Sequence, residues 1–327
     1  MKWMKWMLDL EIPAAPYKIE YKDKLLFIGS CFTQEIGSKM KELKFNVLQN
    51  PHGILYDPVS ISGALDSYMI NKRYEPSDLF QLNDLWHSWQ HHSQFSAVEQ
   101  VEVLNRINAS QASAHDFING LDWLVVSVGS AFHYVLKQGN IPVANCHKAA
   151  SVLFKKELLD IEVIREVLGN AIQKLKLLSP HVRIILTVSP VRHIRDGLEQ
   201  NNRSKARLLE AVHSLTGQFA HVYYFPAYEI LIDELRDYRF YKKDLVHPDD
   251  MASQYIFEKF AGSFIDKDAN QLMQQVNGIL AAVKHTPFHK DSVDYKVFKK
   301  NQLEKIAGLQ KAFPFLDLSA EIISFQS

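Results

Sequence analysis

The chain has little that would staple or anchor it. Two cysteines, Cys31 and Cys146, among 327 residues cannot make a disulfide framework. No apolar run approaches the roughly 18 residues that a membrane-crossing helix needs. Met1 to Leu10 alternates Lys, Trp and Met without a continuous apolar core or a small-residue cleavage site, which argues against a signal peptide. An excess of charge is missing as well. Lys+Arg and Asp+Glu stand at 37 each, a balance that speaks against a nucleic-acid-coating protein or a polybasic membrane binder. Histidines are plentiful, but metal-ligand spacing is not: His91 and His92 are adjacent with no matching carboxylate or cysteine, and Cys146 and His147 are neighbours whose side chains diverge. The expectation is a cytoplasmic protein with neither metal nor organic cofactor, and with no nucleic-acid or membrane partner.

What is present is apolar patterning, 47% of the chain, enough for one large α/β domain and an appendage. Leu25, Leu26, Phe27 and Ile28, bounded by Lys24 and Gly29, read as a short strand buried on both faces. From Phe32 the period changes: Phe32, Ile36, Met40 and Leu43 form the stripe of an amphipathic helix. Ser30 therefore sits at a strand-to-helix turn. A hydroxyl there leaves the carboxyl edge of a sheet, with helix N-terminal amides facing any anion that forms. A helix cap is the structural alternative for the same serine. Far downstream, Asp244-Leu245-Val246-His247-Pro248 holds a carboxylate and an imidazole three residues apart on a loop leading into a helix. A serine nucleophile needs such a pair: the imidazole takes the hydroxyl proton and the carboxylate fixes its other ring nitrogen.

Gly29-Ser30-Cys31-Phe32-Thr33 resembles the signature of the GSCFA family, which normally has Ala where this chain has Thr33. The resemblance continues through Asn50-Pro51-His52-Gly53-Ile54, Val143 to Lys148, Thr187 to His193, Tyr224 to Glu229 and Arg236 to Tyr241, and ends in the Asp244–His247 loop. Members of that family resemble the SGNH/GDSL hydrolase superfamily, whose three-layer α/β/α fold carries a serine in its first motif and Asp-x-x-His in its last. The resemblance implies Ser30 as nucleophile, His247 as base and Asp244 as orienting carboxylate. It also implies Gly53 as an oxyanion donor beside Cys31 and the amides near Ser30, although turns use glycine far more often than active sites do. The superfamily's Gly-x-Asn-Asp is replaced here by Gly129-Ser130-Ala131-Phe132. Losing that Asn donor would typically cost about 100- to 1000-fold in turnover. Asn145 is the natural substitute; bonding its own backbone in a turn is the equal alternative. His92, in His92-Ser93-Gln94-Phe95-Ser96, fits part of the family pattern and either faces substrate or is structural.

The remaining chain alternates helical and strand-like segments. A helix over Val59–Ile70, an aromatic and histidine-rich insertion at 72–100, a buried strand from Leu121 to Ser130, a long helix from Lys155 to Leu178, and further units at Val182–Val188, Asn201–Phe219 and Val222–Phe225 predict parallel crossovers. Carboxyl ends would then share one edge, collecting Ser30, Gly53, the Gly129–His133 turn and the Ser189–His193 loop. His193 is a second candidate base without a nearby Asp. Cys31 is a remote candidate nucleophile. Arg192 and Arg236 suit either a substrate anion or ion pairs. The sequence thus predicts a three-layer α/β/α sandwich with a mostly parallel central sheet, SGNH-hydrolase or flavodoxin-like, over 20–262. A helical appendage follows over 263–327, with helices at Asn270–Val283 and Tyr295–Leu309, packed on the core or serving a homodimer. The expected activity is serine-dependent hydrolysis of a small-molecule or carbohydrate ester, carbohydrate deacetylation being one form. Acyl transfer to a carbohydrate and a degenerate binding scaffold are the alternatives.

Overall fold

The structure is a computed structural model that describes residues 7–285, 287–289 and 291–326. Strand β1 (Leu25–Gly29) is wholly buried, and its apolar run divides between two cores: Leu25 and Phe27 enter one cluster, Leu26 and Ile28 the other. After α1 (Cys31–Glu42) the chain adds β2 (Val47–Gln49) on one side of β1. It then crosses through α2 (Pro58–Met69), the hairpin β3 (Phe80–Leu82) and β4 (Leu85–His87), and α3 (Gln100–Ile118) to reach β5 (Trp123–Val128) on the other side. A small excursion, β6 (Phe132–Leu136), β7 (Ile141–Val143) and β8 (Phe154–Leu158), precedes α4 (Ile161–Leu178), β9 (Arg183–Val188), α5 (Leu198–Gln218) and β10 (Val222–Tyr224). The sheet order is β2-β1-β5-β9-β10, all parallel.

Because both faces are covered, the alternation of each strand is between two cores rather than between core and water. Trp123, Val125 and Ile185 join Leu25 and Phe27 under α1; Leu124, Val126, Val128, Ile184 and Leu186 join Leu26 and Ile28 under α2 to α5. Three layers result. Full burial of a single large apolar side chain contributes about 1.5–3 kcal/mol, so these rows dominate the stability.

A turn, α6 (Ala227–Glu229), continues as a wider π-type turn over Ile230–Glu234. Helices α7 (Asp250–Phe264), α8 (Lys267–Lys284), α9 (Val293–Ala312) and α10 (Ser319–Gln326) follow. All four share one hydrophobic cluster with α1. Lys284 pairs with Glu42 at 2.7 Å and Lys44 with Glu321 at 2.8 Å, tying the end of α1 to the last helices.

Two segments differ from the sequence reading. The predicted helix from Lys155 begins only at Ile161, because Phe154–Leu158 is an edge strand whose lysines mimic a helix surface, Lys155 in solvent and Lys156 paired with Asp196. The insertion at 72–100 is more ordered than its irregular period suggests. Asn83 and Asp84, both at positive φ, close β3 and β4 with the two-residue turn that asparagine and aspartate tolerate. Asp57 caps α2 by accepting from the Ser60 amide at 3.0 Å and also meets His133 Nδ1 at 2.9 Å, which fixes β6 against α2.

The closest backbone approach is at Gly29, whose φ is +131° and where a Cβ would lie 2.1 Å from the Ser127 carbonyl oxygen. No side chain fits. We expect Gly29→Ala to lose at least about 3 kcal/mol of stability in urea titration, since it combines backbone strain with a clash against a buried strand; a loss below about 1 kcal/mol would contradict this packing.

Candidate functional site

Ser30 follows Gly29 directly and is the N-cap of α1: its Oγ accepts from the Phe32 amide at 3.2 Å. The same Oγ lies 2.8 Å from Ser127 Oγ, and the Ser30 amide donates to the Ser127 carbonyl at 3.0 Å. Ser30 is only 1% exposed. The cap and nucleophile readings of this serine therefore occupy the same atom. Sheet order reverses between β1 and β5, so Ser30 and Gly129 stand at the topological switch point, where open α/β sheets bind ligands. A Cβ on Gly129 would be 3.3 Å from Ser30 Cβ and 3.1 Å from the Tyr56 ring. The Cys31 amide opens the helix and has no carbonyl one turn back, so it is the donor available beside Ser30. Its thiol is pushed up to about 11 by burial and then by Glu35, which keeps it protonated near neutrality.

The downstream pair forms as its spacing predicts. His247 Nδ1 meets Asp244 Oδ2 at 2.8 Å, while Asp244 Oδ1 accepts from the Val246 and His247 amides at 2.9 and 3.0 Å. Those two backbone donors, then the imidazole, hold the Asp244 carboxyl down to about 2. With Nδ1 donating to a fixed carboxylate, Nε2 is left as the basic nitrogen. Leu245 adopts φ +59°, a strained conformation for leucine that makes the tight loop. Pro248 lies outside α7, which is capped instead by Asp249. The loop is tied to the first turns of α1: Lys242 pairs with Glu35 at 3.6 Å and Ser253 donates to the other Glu35 oxygen at 2.9 Å. Arg192, after β9, stacks its guanidinium 4.8 Å from the Tyr241 ring. Arg236 is exposed. Ser30 Oγ is bonded to Ser127 and the Phe32 amide, not to His247.

A cleft of about 560 Å³ opens beside this edge, lined among others by Tyr56, Ser130, Phe132, Tyr134 and His193. Asn145 and His92 line it as well. Asn145 makes the turn contact, its Oδ1 accepting from the His147 amide at 2.9 Å, while its Nδ2 donates to Ser93 Oγ at 3.2 Å. Gly53 is otherwise employed than as a donor. Its N–H donates to the Asn50 carbonyl at 2.7 Å, closing the Asn50–Gly53 turn, and its missing Cβ makes room for His92, whose Cβ would stand 2.2 Å away. The glycine is needed for close approach and for φ +78°.

One buried face of α5 carried no signal in its sequence beyond helical spacing. Asn201, Ser204 and Lys205 lie at i, i+3 and i+4 and reach the loops at the ends of β5 and β9. Asn201 Oδ1 accepts from the His193 amide at 2.9 Å, Ser204 Oγ accepts from the Ala131 amide at 2.8 Å, and Lys205 Nζ donates to the Gly129 and Ser189 carbonyls at 2.8 and 2.6 Å. His193 Nε2 also meets the Gly129 carbonyl, at 2.7 Å, and burial, followed by Lys205, pulls the ring down to about 4. That makes it a poor base.

The insertion's histidines are stacked rather than convergent. His52 and His91 stack at 4.1 Å, Tyr74 meets His91 edge-on at 4.8 Å, and His87 lies 4.5 Å from His147. Among the described residues no group of three or more His, Cys, Asp or Glu side chains is arranged to hold a metal ion, and no helix is long and apolar enough to cross a membrane.

The family model described as GSCFA family matches residues 24–260, and the one described as GSCFA domain protein, C-terminal domain, matches 276–327. No curated protein matches the chain.

Burial holds the His52 ring down to about 3 and His147 to about 4, with His91 well below its ordinary value. These rings are neutral when folded, whereas in the unfolded chain they take up protons near pH 6.5. Stability is therefore unaffected above about pH 6.5 and falls as pH drops from there toward the folded values, by roughly 2 kcal/mol for His52 and again for His147 at pH 5. We expect the urea midpoint to fall steeply between pH 6.5 and pH 5, and His52→Phe to flatten that fall; a midpoint independent of pH across this window would count against buried neutral rings.

Proposed function

Since the chain belongs to the GSCFA family, matched over 24–260, we propose that it is a serine-dependent acyl ester hydrolase on an SGNH/GDSL-like scaffold. Ser30 Oγ attacks the acyl carbonyl carbon, and His247 Nε2 takes its proton. The tetrahedral oxyanion is received by the Cys31 amide, with Asn145 as a further candidate donor from across the cleft. His247 then returns the proton to the departing alcohol, and water hydrolyses the acyl-serine by the same relay. Asp244 holds the imidazole tautomer throughout. The observation that carries the reading is the Asp244–His247 pair, its Nε2 uncommitted among the described residues, on a loop tethered through Glu35 to the helix that Ser30 caps. For attack, Ser30 Oγ must leave Ser127, a rotation about one side-chain bond.

The aromatic faces of Tyr56, Phe132 and Tyr134 among polar groups in the cleft suit a carbohydrate ester, and the same chemistry with a sugar hydroxyl in place of water is acyl transfer. Two free cysteines suit a reducing compartment such as the cytoplasm. One observation favours a binding protein without turnover: the low exposure of Ser30 and its bond to Ser127.

A fluorophosphonate probe distinguishes these readings. Labelling is expected at Ser30, together with hydrolysis of short-chain aryl esters and acetylated sugars that falls by roughly 1000-fold or more in Ser30→Ala and in His247→Ala, both still folded. Equal rates in all three proteins, or a folded wild type that resists the probe, would defeat the hydrolase reading. Product partition with added carbohydrate acceptors then separates hydrolysis from transfer.

A further inference from the structure

Lys205 is 1% exposed, yet it is a cation by nature and no carboxylate is among its partners in the described residues. An uncompensated buried ammonium is costly, and a helix face packed against loops can be built without one. Its placement is specific. Nζ donates to Gly129 and Ser189, the carbonyls just beyond the ends of β5 and β9, and Gly129 is the residue whose absent Cβ lets it lie against Ser30. From α1 the group facing it is the Cys31 thiol, which interacts with it electrostatically; from the loop after β9 it is His193, which shares the Gly129 carbonyl.

We propose that Lys205 is a positioning residue for the Ser30 site, fixing the two strand-end carbonyls and supplying positive potential behind the turn where negative charge develops during acyl transfer. The inference rests on the hydrolase reading of Ser30. Two carbonyl dipoles with their negative ends at the switch point would otherwise oppose an oxyanion there; an ammonium between them cancels that field. Asn201 and Ser204 hold the same loops through neutral hydrogen bonds, so loop anchoring alone does not call for a charge.

The charge also has a titration of its own. Burial, partly offset by Cys31, pulls the Lys205 ammonium down to about 7. Cys31, up at about 11, and His193, down at about 4, do not change state there. Below about pH 7 Lys205 is charged and supports Ser30; as pH rises through that value the support is withdrawn. Activity of the wild type should therefore decline on its alkaline side above about pH 7.

The test is a pH profile of kcat and KM on an aryl ester, with fluorophosphonate labelling to count competent sites, for wild type, Lys205→Gln and Lys205→Met, each checked by its thermal transition. Lys205→Gln is expected to fold, to keep KM within about threefold, to lose roughly 10- to 100-fold in kcat, less than deletion of a direct oxyanion donor, and to lose the alkaline decline. A folded Lys205→Gln or Lys205→Met with wild-type kcat and an unchanged profile would overturn the proposal and leave the hydrolase reading standing. A wild type with no alkaline decline overturns it whether or not the variants fold. A wild type that neither turns over nor labels overturns both.

Discussion

The approach of two backbones sets the rest of the site: the carbonyl of Ser127 lies where any side chain on Gly29 would have to be. That contact brings the end of β1 flush with β5, aligns the Ser30 amide on the Ser127 carbonyl, and brings the two serine hydroxyls together. Thr187 continues the same rung on β9, with its hydroxyl buried and unpartnered among the described residues. A row of small polar groups thus crosses an otherwise apolar sheet at the level of the switch point. Core packing would prefer valine or isoleucine at Ser127 and Thr187, so the row is a departure from stability rules of the kind that sites introduce.

Around that rung the edge is gripped from both layers. On one face α1 receives the Asp244–His247 loop through Glu35. On the other, α5 holds the loops after β5 and β9 through three consecutive positions of one helical stripe. The cleft lies against the loops after β5 and β9 and is completed by the small sheet, itself fixed to α2 through Asp57 and His133. Catalytic groups proposed for this edge come from elements far apart in sequence: Ser30 is held by a strand end and a helix start, and the Asp244–His247 loop by its own hydrogen bonds and the tether to Glu35.

Much of this was legible in the chain. The strand at Leu25–Gly29, the helix after it and the parallel layering follow from period and burial, because strands covered on both faces and amphipathic helices leave unambiguous patterns. The Asp244–His247 pair was legible because its geometry is local: four residues suffice to make it. What sequence could not supply was anything depending on distant chain. Gly53 reads as a donor from the resemblance, and only the commitment of its amide to Asn50 and the seat of His92 show it serving a turn and a close approach. Lys155 and Lys156 look like helix surface because an exposed edge strand and an exposed helix turn draw on the same residues. Lys205 looks like any helical lysine until α5 is laid against the loops, since burial of one side chain is a tertiary fact.

The sharing of one hydrophobic cluster by α1 and the helices α7 to α10 sets an order of events during synthesis. The layer of α2 to α5 can close on the sheet as soon as β10 has emerged. The opposite face, including Phe32, Ile36 and Met40, is not fully covered until α7 to α10 have followed. A growing chain of this kind holds one apolar face of its sheet and first helix only partly covered until those later helices arrive. Helix α1 thus depends for its shelter on helices made more than two hundred residues after it.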